Sequence, residues 1–150
     1  MKRIVSGIML TLLLTGMLVL AFNVQPVKSA IKTIIVPDDY PTIQEAINHA
    51  SDGNTIFVRN GTYVETVGVE KSVSLIGESK RGTIVDGNYR TAFNVAADTV
   101  SIGNMGTTGE YVSICLRSSE NIVNGNEIHG AGIGISLLLK AIGDITRAWC

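Results

Sequence analysis

FNVAADTVSIGNMGTTGEYVSICLRSSENIVNGNEIHGAGIGISL, running from Phe93 to Leu137, decides how the chain folds. It carries the same apolar-x-apolar pair three times, as Phe93/Val95, Ile114/Leu116 and Ile135/Leu137, with 21 residues between one copy and the next. A second set, Val100, Gly103 and Asn104, recurs as Ile122, Gly125 and Asn126, each 22 later. A period near 22 that holds about three short strands is one turn of a solenoid. A sandwich would need longer strands joined by hairpin turns. Each strand then stacks in parallel on its counterpart one turn further on, about 4.8 Å away. The handedness rule for parallel connections makes the coil right-handed. A 22-residue register would also stack Asn104 on Asn126 in an asparagine ladder.

The same two-residue alternation extends back to Asn54. The predicted strands are Ile56–Val58, Val67–Val69, Val73–Leu75, Thr83–Val85, Phe93–Val95, Val100–Ile102, Val112–Leu116, Asn121–Val123 and Ile133–Leu137. Between them lie turn formers such as Asn60-Gly61, Asp86-Gly87-Asn88 and Gly130-Ala131-Gly132. Before Asn54 the period is helical. Thr42-Ile43-Gln44-Glu45 reads as a capping box, with Glu45 reaching back to the cap. Ile43, Ala46, Ile47 and Ala50 then form one apolar face, and Ser51-Asp52-Gly53 stops the helix. A helix of about two turns is not stable alone. It is expected to cap the end of the solenoid, whose first coil would otherwise expose strand edges and apolar interior.

The chain has 150 residues, 45% of them hydrophobic and 17% charged, which excludes a disordered chain. Sixteen glycines against 5% aromatics suit many tight turns better than one bulky core. Lys2 and Arg3 precede an uncharged apolar run from Ile4 to Phe22, and Val27-Lys28-Ser29 follows. This pattern predicts a secretory signal over residues 1–29, cleaved after Ser29; the alternative is a retained anchor. Residues 30–53 would form an N-terminal strand and the helical cap, and residues 54–150 the coils. Loss of Lys2, Arg3 and Lys28 from 12 basic residues leaves 9 against 13 acidic ones, a balance of −4. Neither nucleic acid nor an anionic membrane is a natural partner for that charge. The membrane is met only through the signal segment.

Cys115 and Cys150 are too few for a disulfide framework. Cys115 alternates with Ile114 and Leu116 and so is expected to point outward. A Cys115–Cys150 bridge and a free or intermolecular thiol both remain open.

Asp39-Tyr40-Pro41-Thr42-Ile43-Gln44-Glu45-Ala46-Ile47, Gly61-Thr62-Tyr63-Val64-Glu65, Leu75-Ile76-Gly77-Glu78 and Thr83-Ile84-Val85-Asp86-Gly87 resemble the N-terminal part of pectin-lyase-like right-handed β-helix proteins, pectinesterases above all. From Val112 to Leu137 the chain is similar to NosD-type repeats, through Ile114-x-Leu116, Asn121-Ile122, Gly125-Asn126, Ile128 and Gly132-Ile133-Gly134-Ile135-x-Leu137. NosD-type proteins belong to copper-enzyme maturation and carbohydrate-related families. The resemblance covers nearly all of the chain after residue 29. It implies the fold more than a function, because one fold hosts many activities. In pectinesterases a Gln opens the strand that ends in Leu-Arg; Val112 stands there in this chain. One coil later the family carries a Gln-Asp pair, where this chain reads Gly125-Asn126-Glu127-Ile128. The route needs a carboxylate nucleophile and a carboxylic acid together. No pectin-cleaving or de-esterifying activity, no catalytic residue and no cofactor are therefore expected.

The candidate ligand-binding residues are Asp86, Tyr89 and Arg90, an acid, an aromatic and a base on one turn. Glu127 and His129, two apart on a strand-like stretch, could share one face toward a metal, yet two ligands do not make a site. Asp98, Glu110 and Glu120 lie in or near turns and repeat no calcium motif. Asn60-Gly61-Thr62 is a glycosylation sequon.

The sequence thus predicts an all-β protein, a right-handed parallel β-helix with a short N-terminal capping helix, secreted, periplasmic or at the cell surface. Its leading function is a non-catalytic binding or structural module for polysaccharide or a protein partner. The rivals are a pectin-lyase-like carbohydrate-active enzyme and a NosD-type metal-delivery accessory. Residues 54–150 number 97, or four to five coils, and after Leu137-Leu138-Leu139 the pattern dissolves toward Trp149-Cys150 without an amphipathic cap. An incomplete solenoid, able to self-associate through its last coil, is the expectation.

Overall fold

The computed structural model describes residues 30–130 and 132–137. The chain divides into two units, Met1–Ala30 and Ile31–Cys150. Residues 1–29, expected to be a signal, and the end beyond Leu137 lie outside the described residues.

The second unit is a right-handed parallel β-solenoid of about five turns with one short helix. Its elements are β1 (Thr33–Val36), α1 (Ile43–His49), β2 (Thr55–Val58), β3 (Gly61–Val64), β4 (Val67–Val69), β5 (Ser74–Gly77), β6 (Thr83–Asp86), β7 (Phe93–Val95), β8 (Ser101–Gly103), β9 (Gly106–Thr108), β10 (Val112–Leu116), β11 (Ile122–Asn124), β12 (Glu127–His129) and β13 (Ile133–Leu137). They form three parallel sheets. The first has the order β1-β2-β5-β8-β11, the second β3-β6-β9-β12 and the third β4-β7-β10-β13.

The core is a set of aligned stripes. Ile34, Ile56, Leu75 and Ile102 are register partners in the first sheet and are all essentially inaccessible. Val67, Phe93 and Ile114 form a second stripe and Val69, Val95 and Leu116 a third. Burying each such side chain contributes about 1.5–3 kcal/mol, so stacked like residues hold neighbouring coils together.

Coil length is less uniform than the sequence repeat suggests. Phe93, Ile114 and Ile135 pair at the expected 21-residue interval. In the first sheet, Thr55 pairs with Ser74 after 19 residues and Ser74 with Ser101 after 27. The turns absorb the difference while the strands stay in register.

The expected Asn104–Asn126 ladder does not form. Ile122 pairs with Ser101 and Asn124 with Gly103, a 21-residue register, which places Asn126 opposite Met105. The parallel hydrogen-bond ladder sets the pairing, not the residue type. Each amide instead braces the coil before it. Asn104, at φ 57°, donates from Nδ2 to the carbonyls of Gly77 (2.8 Å) and Glu78 (3.1 Å). Asn126 accepts the Met105 N–H (3.1 Å) and donates to the Ile102 carbonyl (2.9 Å). This close stacking leaves no room at Gly77, where a Cβ would overlap the Asn104 carbonyl oxygen.

α1 covers the start of the solenoid against β1, β2 and β4, with Ile43, Ala46, Ile47 and Ala50 all buried. Thr42 accepts the Glu45 N–H as expected (3.1 Å). The return bond expected of Glu45 has a substitute from the solenoid. Both Glu65 carboxylate oxygens accept from the helix, one from the Ile43 N–H and one from the Gln44 N–H, each at 3.0 Å. At the other end Lys71 Nζ donates to the carbonyls of Ile47, Asn48 and Ala50 at 3.0, 2.7 and 2.8 Å. An anion at the helix N-terminus and a cation at its C-terminus both complement the helix dipole. Between them, the Gln44 side-chain amide accepts the Gly68 N–H (2.8 Å) and donates to the Gly68 carbonyl (3.3 Å). Gly68 lies in β4, an edge of the third sheet. One side chain thus supplies the hydrogen bonds of a missing neighbouring strand.

Cys115 is expected to point away from the face of Ile114 and Leu116, yet that side is not open to solvent. It alternates with Ile114 and Leu116, but all five residues of β10 are buried, so both faces of that strand are covered. Cys115 is also disulfide-bonded, which removes the free-thiol alternative.

Candidate functional site

The second sheet ends in a polar corner. Asp86, Thr108 and His129 are register partners on three successive coils. Each is followed by a glycine: Gly87, Gly109 and Gly130. Gly87 donates its N–H to the Thr108 carbonyl (2.9 Å). A Cβ on Gly109 would come 2.7 Å from the Arg90 carbonyl oxygen, so a larger residue would push the two turns apart.

The lowest of these turns is tightly built. Arg90 donates its N–H to the Gly87 carbonyl (2.9 Å), and Asn88 and Tyr89 between them have φ of 45° and 67°. Two consecutive positive values make a type I′ turn, a conformation that favours Asn and Gly and is strained for tyrosine. Asp86 Oδ1 accepts the Asn88 N–H (2.9 Å) and fixes the start of the turn. Tyr89 is left 68% exposed, and Tyr111 on the next coil is 71% exposed.

A cleft of about 350 Å³ opens here, lined by Asp86, Asn88, Tyr89, Thr108, Gly109, Glu110, His129 and Gly130. Two carboxylates from successive coils line it, and among the described lining residues there is neither Lys nor Arg. His129 Nε2 lies 3.3 Å from Glu127 Oε1, and the other oxygen of Glu127 lies 3.6 Å from Arg81 Nε. The cleft therefore offers hydrogen-bonding carboxylates, a hydroxyl, an imidazole and an exposed aromatic ring.

Of the three residues singled out on this turn, Asp86 and Tyr89 line the cleft. Arg90 is exposed outside its lining and takes part through its backbone. Glu127 and His129 do share one face, as their spacing suggested, but pair with each other. Among the described residues no three His, Cys, Asp or Glu side chains converge as a metal site. Asp98 braces turns, accepting the Ser119 N–H on Oδ1 (2.7 Å) and the Ser72 hydroxyl on its carbonyl (2.8 Å). Glu120 lies in a separate turn, at φ 59°. Asn60 is exposed, with Oδ1 accepting from Ser79 Oγ at 3.1 Å. Thr108, Glu110 and His129 were not grouped with Asp86 by sequence reading. The signal that could have found them is the recurrence of a polar residue before glycine at Asp86-Gly87, Thr108-Gly109 and His129-Gly130.

A second hollow, about 370 Å³, lies beside α1 among Gln44, Ile47, Asn48, Gly68, Glu70 and Lys71. Gln44 and Lys71 are already bound to Gly68 and to the helix carbonyls, so its polar groups hold the cap. Val112, where the pectinesterase resemblance calls for Gln, is a buried residue. Asn126, within residues 125–128 where it calls for a Gln-Asp pair, is tied to the coil before it. Comparison of the chain with known protein families, with curated proteins and with solved structures returns no match.

Proposed function

We propose that the protein is a non-catalytic carbohydrate-binding module, exported by its N-terminal segment and acting outside the cell, at its surface or in the periplasm. The observation that carries this reading is the corner cleft, where an exposed tyrosine stands beside hydrogen-bonding groups from three successive coils. Sugars present an apolar ring face and a rim of hydroxyls. An aromatic ring takes the first, and carboxylates and hydroxyls take the second. Successive coils repeat the corner, which suits an extended chain better than a single small molecule. The resemblance to pectin-lyase-like and NosD-type β-helix proteins points to the same class of ligand. The test is binding to a panel of soluble polysaccharides by affinity electrophoresis. Tyr89→Ala should weaken retention by about threefold to tenfold, the scale of one lost aromatic contact. Unchanged retention would remove the cleft from the function.

Asp86 and Glu110 favour a second reading. Two carboxylates facing one cleft are the minimum equipment of a glycoside hydrolase. Release of reducing ends from any polysaccharide that the protein binds, abolished by Glu110→Gln, would establish it over the binding-only reading. Export is tested by sequencing the N-terminus of the secreted protein. Ala30 as first residue supports a cleaved signal, and Met1 shows an anchor.

A further inference from the structure

We infer that the corner cleft selects a glycan bearing free amino groups, a polymer of cationic amino sugars, over polyuronates. The inference rests on the carbohydrate-binding reading and adds the charge class of the sugar. Asp86 and Glu110 reach the cleft from adjacent coils, and no lysine or arginine is among the described residues that line it. The two arginines on nearby segments do not change that balance. Arg81 is directed to Glu127 and is 84% exposed, and Arg90 lies outside the lining. A protonated amine entering here meets two carboxylates and the face of Tyr89, which also attracts a cation. A uronate carboxylate in the same place meets two like charges, and the one basic group among the described lining residues, the His129 imidazole, is already turned to Glu127; like-charge contact rejects a ligand strongly. The charge of the chain after residue 29, 9 basic against 13 acidic residues, works in the same direction at longer range. The spacing also suits a polymer. Asp86 is the register partner of Thr108, and Glu110 lies two residues beyond Thr108 on that next coil, so two amines along a chain have two separate carboxylates to meet.

The test uses three probes of one length on the folded protein: a glucosamine hexamer, its N-acetylated counterpart and a hexagalacturonate, measured by calorimetry at moderate salt. The amine form should bind at least about tenfold tighter than the acetylated form, and the hexagalacturonate weakest of the three. Glu110→Gln should shrink the preference for the amine at least about threefold. Glu70→Gln removes the same formal charge beside α1, away from the cleft, and should leave the preference unchanged. Equal or tighter binding of the acetylated form or of the hexagalacturonate overturns the inference while leaving the binding reading intact. An equal effect of Glu70→Gln and Glu110→Gln also overturns it, because net charge would then be the cause. Binding of none of the three, or binding insensitive to Tyr89→Ala, removes the underlying reading and the inference together.

Discussion

The helical cap is held at both ends by charge, and this makes a quantitative prediction. Glu65→Ala deletes two hydrogen bonds from a carboxylate to the Ile43 and Gln44 N–H groups. Bonds to charged groups are worth about 1.5–3 kcal/mol each, and partial access of water to the freed N–H groups returns some of that. A loss of about 2–4 kcal/mol is expected. Lys71→Met deletes three bonds from one ammonium to the last helix carbonyls and should cost a similar amount, about 2–4 kcal/mol. The two effects must be coupled, because both act by docking the same seven-residue helix. Burial of Ile43 and Ile47, about 1.5–3 kcal/mol each, is the main gain from docking. Once one clamp is gone and the helix lifts, loss of the other costs little. The double variant should therefore fall short of the sum of the singles by at least about 1 kcal/mol. Urea unfolding of the four proteins gives the cycle. Hydrogen exchange at Gly68, whose N–H is covered by Gln44, reports lifting of the cap directly. Single effects below about 0.5 kcal/mol, or a strictly additive double, would refute the clamp.

Gly77→Ala should destabilise the solenoid by about 1–3 kcal/mol in urea unfolding, since its Cβ would overlap the Asn104 carbonyl and crowd Met105. The Tyr63 phenol titrates above the usual tyrosine value of 10.0, first because of burial and then because Glu65, Asp38 and Glu78 disfavour the phenolate. The native state thus holds this proton more tightly than the unfolded chain. Its contribution is fully present below about pH 10 and is lost as pH rises through the raised folded value. Tyr63→Phe should flatten that part of the stability profile, and an unchanged slope would count against it. Ile133, Ile135 and Leu137 of β13 are 52%, 42% and 60% exposed, while Val112, Ile114 and Leu116, their partners on β10, are buried. Such an apolar edge favours self-association; sedimentation should show concentration-dependent assembly that Ile135→Lys reduces, and a monomer at every concentration would refute it.

Sequence alone determined the features that rest on local pattern. The apolar-x-apolar pairs at Phe93, Ile114 and Ile135 set β7, β10 and β13, because inward positions must be apolar and alternate. The helix was legible from Thr42 and its apolar face for the same local reason. β3, β9 and most of the second sheet were not. Gly106-Thr107-Thr108 and Gly61-Thr62-Tyr63-Val64 have no apolar alternation, and they become strands because the neighbouring coils, on both sides for β9 and on one side for β3, offer a hydrogen-bonding edge. The second partner of the helix N-terminus was equally hidden: Glu65 lies 22 residues beyond Ile43, and only the coil brings them together. Register, too, belonged to the tertiary structure, since backbone pairing shifted Asn126 from Asn104 to Met105. The cleft follows from that register. Asp86, Thr108 and His129 stand 22 and 21 residues apart in the chain, each at the end of its strand, and become one polar corner only when three coils stack with their strands aligned.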